Sequence, residues 1–82
     1  MTPSSKAEAL FASSLQPSEH PSWVQVDMAI QASLREHGGL SGCAAVCAAE
    51  YGDHPEMAVA RMRWALDTVK QATAPADLAL AA

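Results

Sequence analysis

Aromatic side chains are scarce in this chain, with two Trp, one Tyr and one Phe among 82 residues. A thick aromatic core is therefore excluded. Half of the residues are apolar and Ala supplies much of that half, which favours helices packed closely through small side chains. Basic residues are scarce too: five Lys and Arg stand against nine Asp and Glu, for a net charge of −4, whereas a DNA-reading domain is usually strongly basic. No run approaches the roughly 20 apolar residues that cross a bilayer, and Met1 leads into a Ser-rich polar stretch in place of the apolar core of a secretory signal. A cytoplasmic protein without membrane contact is expected. The Gly-rich phosphate loop, the nucleophile elbow and a second acid beside a candidate base are all missing, and Ser41-Gly42-Cys43 lacks the context of a Cys nucleophile. These absences point away from an enzyme and imply no cofactor.

What is present is a set of helix signals. A chain of this size buries only about 60% of its unfolded surface, so one marginally stable domain is expected, with self-association as one source of added stability. Ser5 with Glu8 reads as a capping box for a first helix over 5–15, with Ala7, Leu10, Phe11 and Leu15 on one face and Pro17 ending it. QPSEHPS is a linker, after which Ser22 and Gln25 open a second helix over 22–37 whose apolar stripe is Trp23, Val26, Ile30 and Leu34, closed by Gly38-Gly39. Leu40 as staple and Ser41 as N-cap then predict a third helix over 41–51, apolar until Glu50, buried on all sides and closed by Gly52. After a three-residue turn, Asp53 or His54 caps a fourth helix over 55–72, with Pro55 in its first turn and Glu56 near the positive end of its dipole.

On that fourth helix, Ala58, Val59, Met62, Ala65, Leu66 and Val69 fall on one face and Met57, Ala60 and Trp64 on another. The polar wedge left over is Glu56, Arg63, Asp67 and Lys70, with Arg63–Asp67 and Asp67–Lys70 at ion-pair spacing. The acid-His-Pro triplets at 19–21 and 53–55 lie 34 residues apart. They read as two separate helix starts, because a 34-residue repeat needs about three copies to form a stable array.

Cys43 and Cys47 are four apart on one predicted helix, where Cβ atoms lie about 5–6 Å from each other and exceed disulfide reach. Free thiols follow. With His37 or His54 they have the ligand types of a zinc site, but C-x3-C inside a helix lacks the paired knuckles that make such a motif specific, so packing cysteines and no metal are expected. His37, near a helix C-terminus, reads as a structural histidine.

In AAEYGDHPEMAVARMRWAL, Ala48 to Leu66, an Ala-rich helix precedes Gly52, and Pro55, Glu56, Arg61, Met62, Ala65 and Leu66 follow at set positions. The segment resembles the helix-turn-helix of bacterial sigma-factor region 4 and of LuxR-type regulators. Asp53 stands where that pattern has an apolar residue, and Met57-Ala58 replaces its usual Thr-Val pair. The resemblance implies a recognition helix that brings Arg61 and Arg63 to phosphates or bases. The mixed charge of the exposed wedge opposes a phosphate backbone as much as it attracts one.

The reading is thus an all-α bundle of three main helices in a core domain at 22–73, a loosely docked first helix and linker at 1–21, and a flexible tail at 74–82. The expected function is non-catalytic: a small regulatory or adaptor protein that docks another protein, or its own copy as a homodimer, through Trp23, Met57, Ala60, Arg61 and Trp64. A DNA-binding regulator using Arg61 and Arg63 is the alternative. The last residues, DLALAA, look like the end of the bacterial trans-translation tag, which implies a degradation signal at Leu80, Ala81 and Ala82.

Overall fold

In a computed structural model, residues 1–71 are described in side-chain detail and residues 72–81 by their helical backbone alone. Among the described residues four helices follow in order: α1 Pro3–Phe11, α2 Trp23–His37, α3 Leu40–Asp53 and α4 Pro55–Ala81, with a 3-10 turn at Pro17–Glu19 between the first two. The protein is a small all-α bundle. No helix among the described residues is long and apolar enough to cross a membrane. Helix α4 continues past its expected end at residue 72, through a segment whose alanines and leucines favour helix on either side of Pro75. The expected degradation signal rests on side chains outside the described residues.

The first helix corrects the sequence reading most. Its N-cap is Thr2, whose hydroxyl accepts from the Ser5 backbone N–H at 3.1 Å, so Ser5 and Glu8 do not form the expected capping box. It also stops at Phe11, well short of residue 15. The Ser13 hydroxyl donates to the Leu10 carbonyl at 2.6 Å and accepts from the Leu15 N–H, competing with the backbone bonds that a further turn would need. Short as it is, α1 is not loosely docked. Ala7, Ala9, Leu10 and Phe11 are buried, and the helix packs against α2, α3 and α4 alike. Ala at positions 7 and 9 lets neighbouring backbones come close, and Leu10 and Phe11 fill the space between them.

Around α1 the other helices supply Val26 and Ile30 from α2, Cys43 and Cys47 from α3, and Ala58, Ala65 and Val69 from α4. Ser22 and Gln25 form the expected capping box at the start of α2, with bonds of 3.3 and 2.8 Å. Gly38 ends the helix in the left-handed region at φ 75°, a conformation that glycine adopts without steric cost. Helix α3 then starts immediately at Leu40 with Gly39 as its N-cap, in place of Ser41. Gly42 is needed here for space, since a Cβ at that position would fall on the His37 carbonyl.

Helix α3 is not buried on all sides: only Cys43 and Cys47 are, while Ala45, Ala48 and Ala49 face solvent. Exposing an Ala methyl costs little, so a run without charge does not by itself demand burial. Gly52 lies inside α3, not after it, and the helix continues to Asp53. One residue, His54, separates α3 from α4. Its N–H donates to Glu50 O at 2.7 Å and its carbonyl accepts from Ala58 N at 2.9 Å, so the expected three-residue turn contracts to a single hinge position. On α4, Val59 departs from the expected core face and is 45% exposed. Among the described residues, Arg63, Asp67 and Lys70 do not make the ion pairs that their spacing allows.

Candidate docking groove

Ending α1 inside the bundle leaves carbonyls at its C-terminus that need partners. Each of the other three helices sends a side chain there. From α4, Arg61 donates through Nε to Phe11 O at 2.8 Å and through Nη2 to Ser13 O and Leu15 O, each at 2.9 Å, with a longer contact to Leu10 O at 3.5 Å. From α2, His37 Nε2 lies 3.1 Å from Ala12 O and bonds it as the donor. From α3, the Cys47 thiol points at Glu8 O at 3.6 Å. A planar guanidinium with several donors suits a fan of carbonyls as no ammonium does, and its positive charge faces the negative end of the α1 dipole.

The same guanidinium is sandwiched between rings, 5.8 Å from the Phe11 centroid and 5.0 Å from that of Trp64. Phe11 in turn stacks on Tyr51 of α3 at 6.1 Å with planes 10° apart. Burial presses the Arg61 pKa down from its ordinary value, with Cys47 and Glu50 pushing the other way. The Cys47 thiol is pushed up to about 11 by burial first, then by the neighbouring Glu8 and Cys43. It is a poor nucleophile in the folded protein, since the thiolate is the reactive form.

Outside this cap lies an open groove of about 480 Å³ between the end of α1, the turn at Pro17 and the first turns of α4. Met57, Ala60, Arg61 and Trp64 line it from α4, and Phe11, Gln16, Pro17 and Glu50 line it from the other elements. A second hollow of about 370 Å³ shares Phe11, Gln16, Glu50, Met57 and Arg61 and extends the trough toward Val46. Met57 is 72% exposed and Ala60 is exposed as well, while Trp64 is half-buried against Arg61.

Four of the five residues named from sequence as a contact surface therefore meet in one place. Trp23 does not join them. It lines a separate hollow with Lys6, Ile30 and Val69. Arg61 is present at the groove, but the Nε and Nη2 that the helix-turn-helix resemblance would aim at DNA are bound to carbonyls at the end of α1 and in the turn after it. Arg63 is exposed on α4 and lines none of these hollows.

Phe11, Gln16, Pro17 and Glu50 were missed as groove residues because sequence periodicity assigned Phe11 to the core and Pro17 to a helix stop. The available signal was Arg61 itself, one base between apolar neighbours, which called for acceptors from another element. The cysteines and histidines go separate ways: Cys43 Sγ sits 3.6 Å from Ser33 Oγ, Cys47 faces Glu8, His37 faces Ala12, and His54 lies exposed at the α3–α4 junction. Among the described residues no three His, Cys, Asp or Glu side chains gather in a way that could hold a metal. Comparison with protein-family models, with characterised proteins and with solved structures finds no match to this chain.

Proposed function

We propose that this chain is a small, non-catalytic regulatory or adaptor protein of the cytoplasm that acts by docking a protein partner on the α1–α4 groove. The observation that carries this reading is the convergence of Met57, Ala60 and Trp64 on one open trough whose wall is fixed by Arg61. Met and Trp are residues that interface cores favour, and a rigid wall lowers the ordering cost of association. Trp23 and its hollow are a separate apolar surface and stand outside the proposed site. Met57→Asp changes an exposed side chain, so it tests the groove without disturbing the core. The partner, another protein or a second copy, should be retained on the wild-type chain after nuclease treatment and lost on Met57→Asp, with an unchanged melting temperature for the variant.

The DNA-binding reading draws on Arg63 and on the weaker pattern around Gly52. It has less support, because Arg61 is already occupied and the net charge is −4. It predicts salt-sensitive binding to mixed-sequence duplex at about 0.15 M salt. The docking reading predicts none.

A further inference from the structure

The proposed docking groove restricts the conformation and the charge of what it can hold. It offers no strand edge, and the carbonyls along its wall, those of Phe11, Ser13 and Leu15, already accept from Arg61. An extended segment would bury backbone N–H groups without acceptors, whereas a helix satisfies its own. On α4, Met57, Ala60 and Trp64 occur at i, i+3 and i+7 and so run along about two turns, roughly 10 Å at 1.5 Å per residue. Ala60, the small residue between two large ones, leaves a notch into which a side chain can be placed.

Charge at the groove is unevenly available. Among the described residues, the two charged side chains on its walls are Glu50 and Arg61. Two donor nitrogens of Arg61 are turned toward the carbonyls of Phe11, Ser13 and Leu15, whereas Glu50 is exposed. The adjoining hollow beside Met57 adds Glu56 and His54, and Asp53 stands at the C-terminal, negative end of the α3 dipole. Hydrogen bonds to neutral carbonyls leave the charge of Arg61 in place, but Glu50, Asp53 and Glu56 outnumber it, so the mouth carries a net negative charge, in keeping with the whole chain.

We infer that the groove takes an amphipathic α-helix of a partner protein, with about two turns of apolar anchors against Met57, Ala60 and Trp64 and with Lys or Arg flanking them toward Glu50 and Glu56. This rests on the docking reading and adds the conformation and charge of the occupant. Electrostatic complementarity of this kind selects partners more than it raises affinity, and it weakens with salt.

The test is a selection, against the full chain, from a displayed library of helical peptides with fixed apolar anchors and randomised flanks. Enriched flanks should be basic. A synthetic peptide from the pool should shift the backbone amide resonances of Met57, Ala60 and Trp64. The Glu50→Gln, Glu56→Gln double variant, which changes only exposed carboxylates, should bind that peptide about tenfold more weakly. Asp27→Asn, beside Trp23, should bind as the wild type does. Neutral or acidic flanks with shifts still at the groove overturn the inference and leave the docking reading in place. Absence of enrichment with a dimer that Met57→Asp dissociates makes a second copy the occupant, with the same consequence. Absence of enrichment from a strictly monomeric protein that retains no partner overturns both.

Discussion

Helices α1 and α3 invert the expectation that the more apolar segment lies deeper. Helix α1, PSSKAEALF, carries a Lys and a Glu in nine residues and buries four side chains, whereas α3, LSGCAAVCAAEYGD, has no charge before Glu50 and buries two. The difference lies in where each helix sits and in how large its side chains are. Helix α1 is surrounded by three others, so Leu10 and Phe11 have somewhere to go and its unsatisfied end must be capped by side chains from outside. Helix α3 touches the core along one edge, and its remaining alanines cost little in water. Hydropathy records what a segment tolerates; the neighbours determine what it buries.

That contrast is most exposed to test at Leu10, which is 0% accessible at the centre of the bundle. Leu10→Ala should destabilise the protein by about 2–5 kcal/mol, a large share of the roughly 5–15 kcal/mol of a typical domain. A chemical denaturation midpoint close to that of the wild type would show that α1 is peripheral. Within α3, Gly42→Ala tests the close approach to α2. An added methyl has to displace the His37 carbonyl, and overpacking of this kind costs about 1–3 kcal/mol or more.

The cap on α1 is the next link. Arg61→Met keeps much of the side-chain length and removes the donors, leaving part-buried carbonyls short of a partner, so a loss of about 1–3 kcal/mol is expected by thermal melting. Arg61→Lys should restore only part of it, because one ammonium cannot reach the carbonyls of Phe11, Ser13 and Leu15 as the planar fork does.

Cys47 gives the contrast a pH dependence. Its folded pKa of about 11 lies above the ordinary 9.0, so the folded state holds the proton more tightly than the unfolded chain does. The contribution is fully present below pH 9 and is lost as pH rises through about 11. Cys47→Ala should flatten the fall in stability across that interval. Thiol alkylation of Cys47 should be slow in the native protein and fast in denaturant. The smallest effect has the opposite sign. Gly52 lies within α3 with open space where a Cβ would be placed, so Gly52→Ala should stabilise the protein by about 0.5–1 kcal/mol. Destabilisation there would restore the turn that the sequence suggests.

The legible part of the fold was local. Ser22, Gln25 and Gly38 delimit α2 through bonds within four residues, and Pro55 marks the start of α4, so periodicity and caps located α2 and the beginning of α4, though not its end. The start of α1 went astray because Thr2 and Ser5 are both competent caps, and only the hydrogen bond between them selects Thr2. Gly52 misled for a related reason: glycine permits a helix end without requiring one, and α3 continues until His54 serves both helices. The spacing of Met57, Ala60 and Trp64 placed them on one face of α4, and that much of the groove was also readable.

Sequence by itself determined that this chain is helical, rich in small side chains, acidic, and interrupted near Pro17, Gly38 and Pro55, because these follow from propensity, charge and bonds between near neighbours. Only the tertiary structure decided that α1 is central, that α3 lies at the edge, and that Arg61 is a cap as well as a wall. The reason is distance along the chain. Arg61 and Phe11 are 50 residues apart, and no local pattern says which carbonyls a guanidinium will find once four helices have packed.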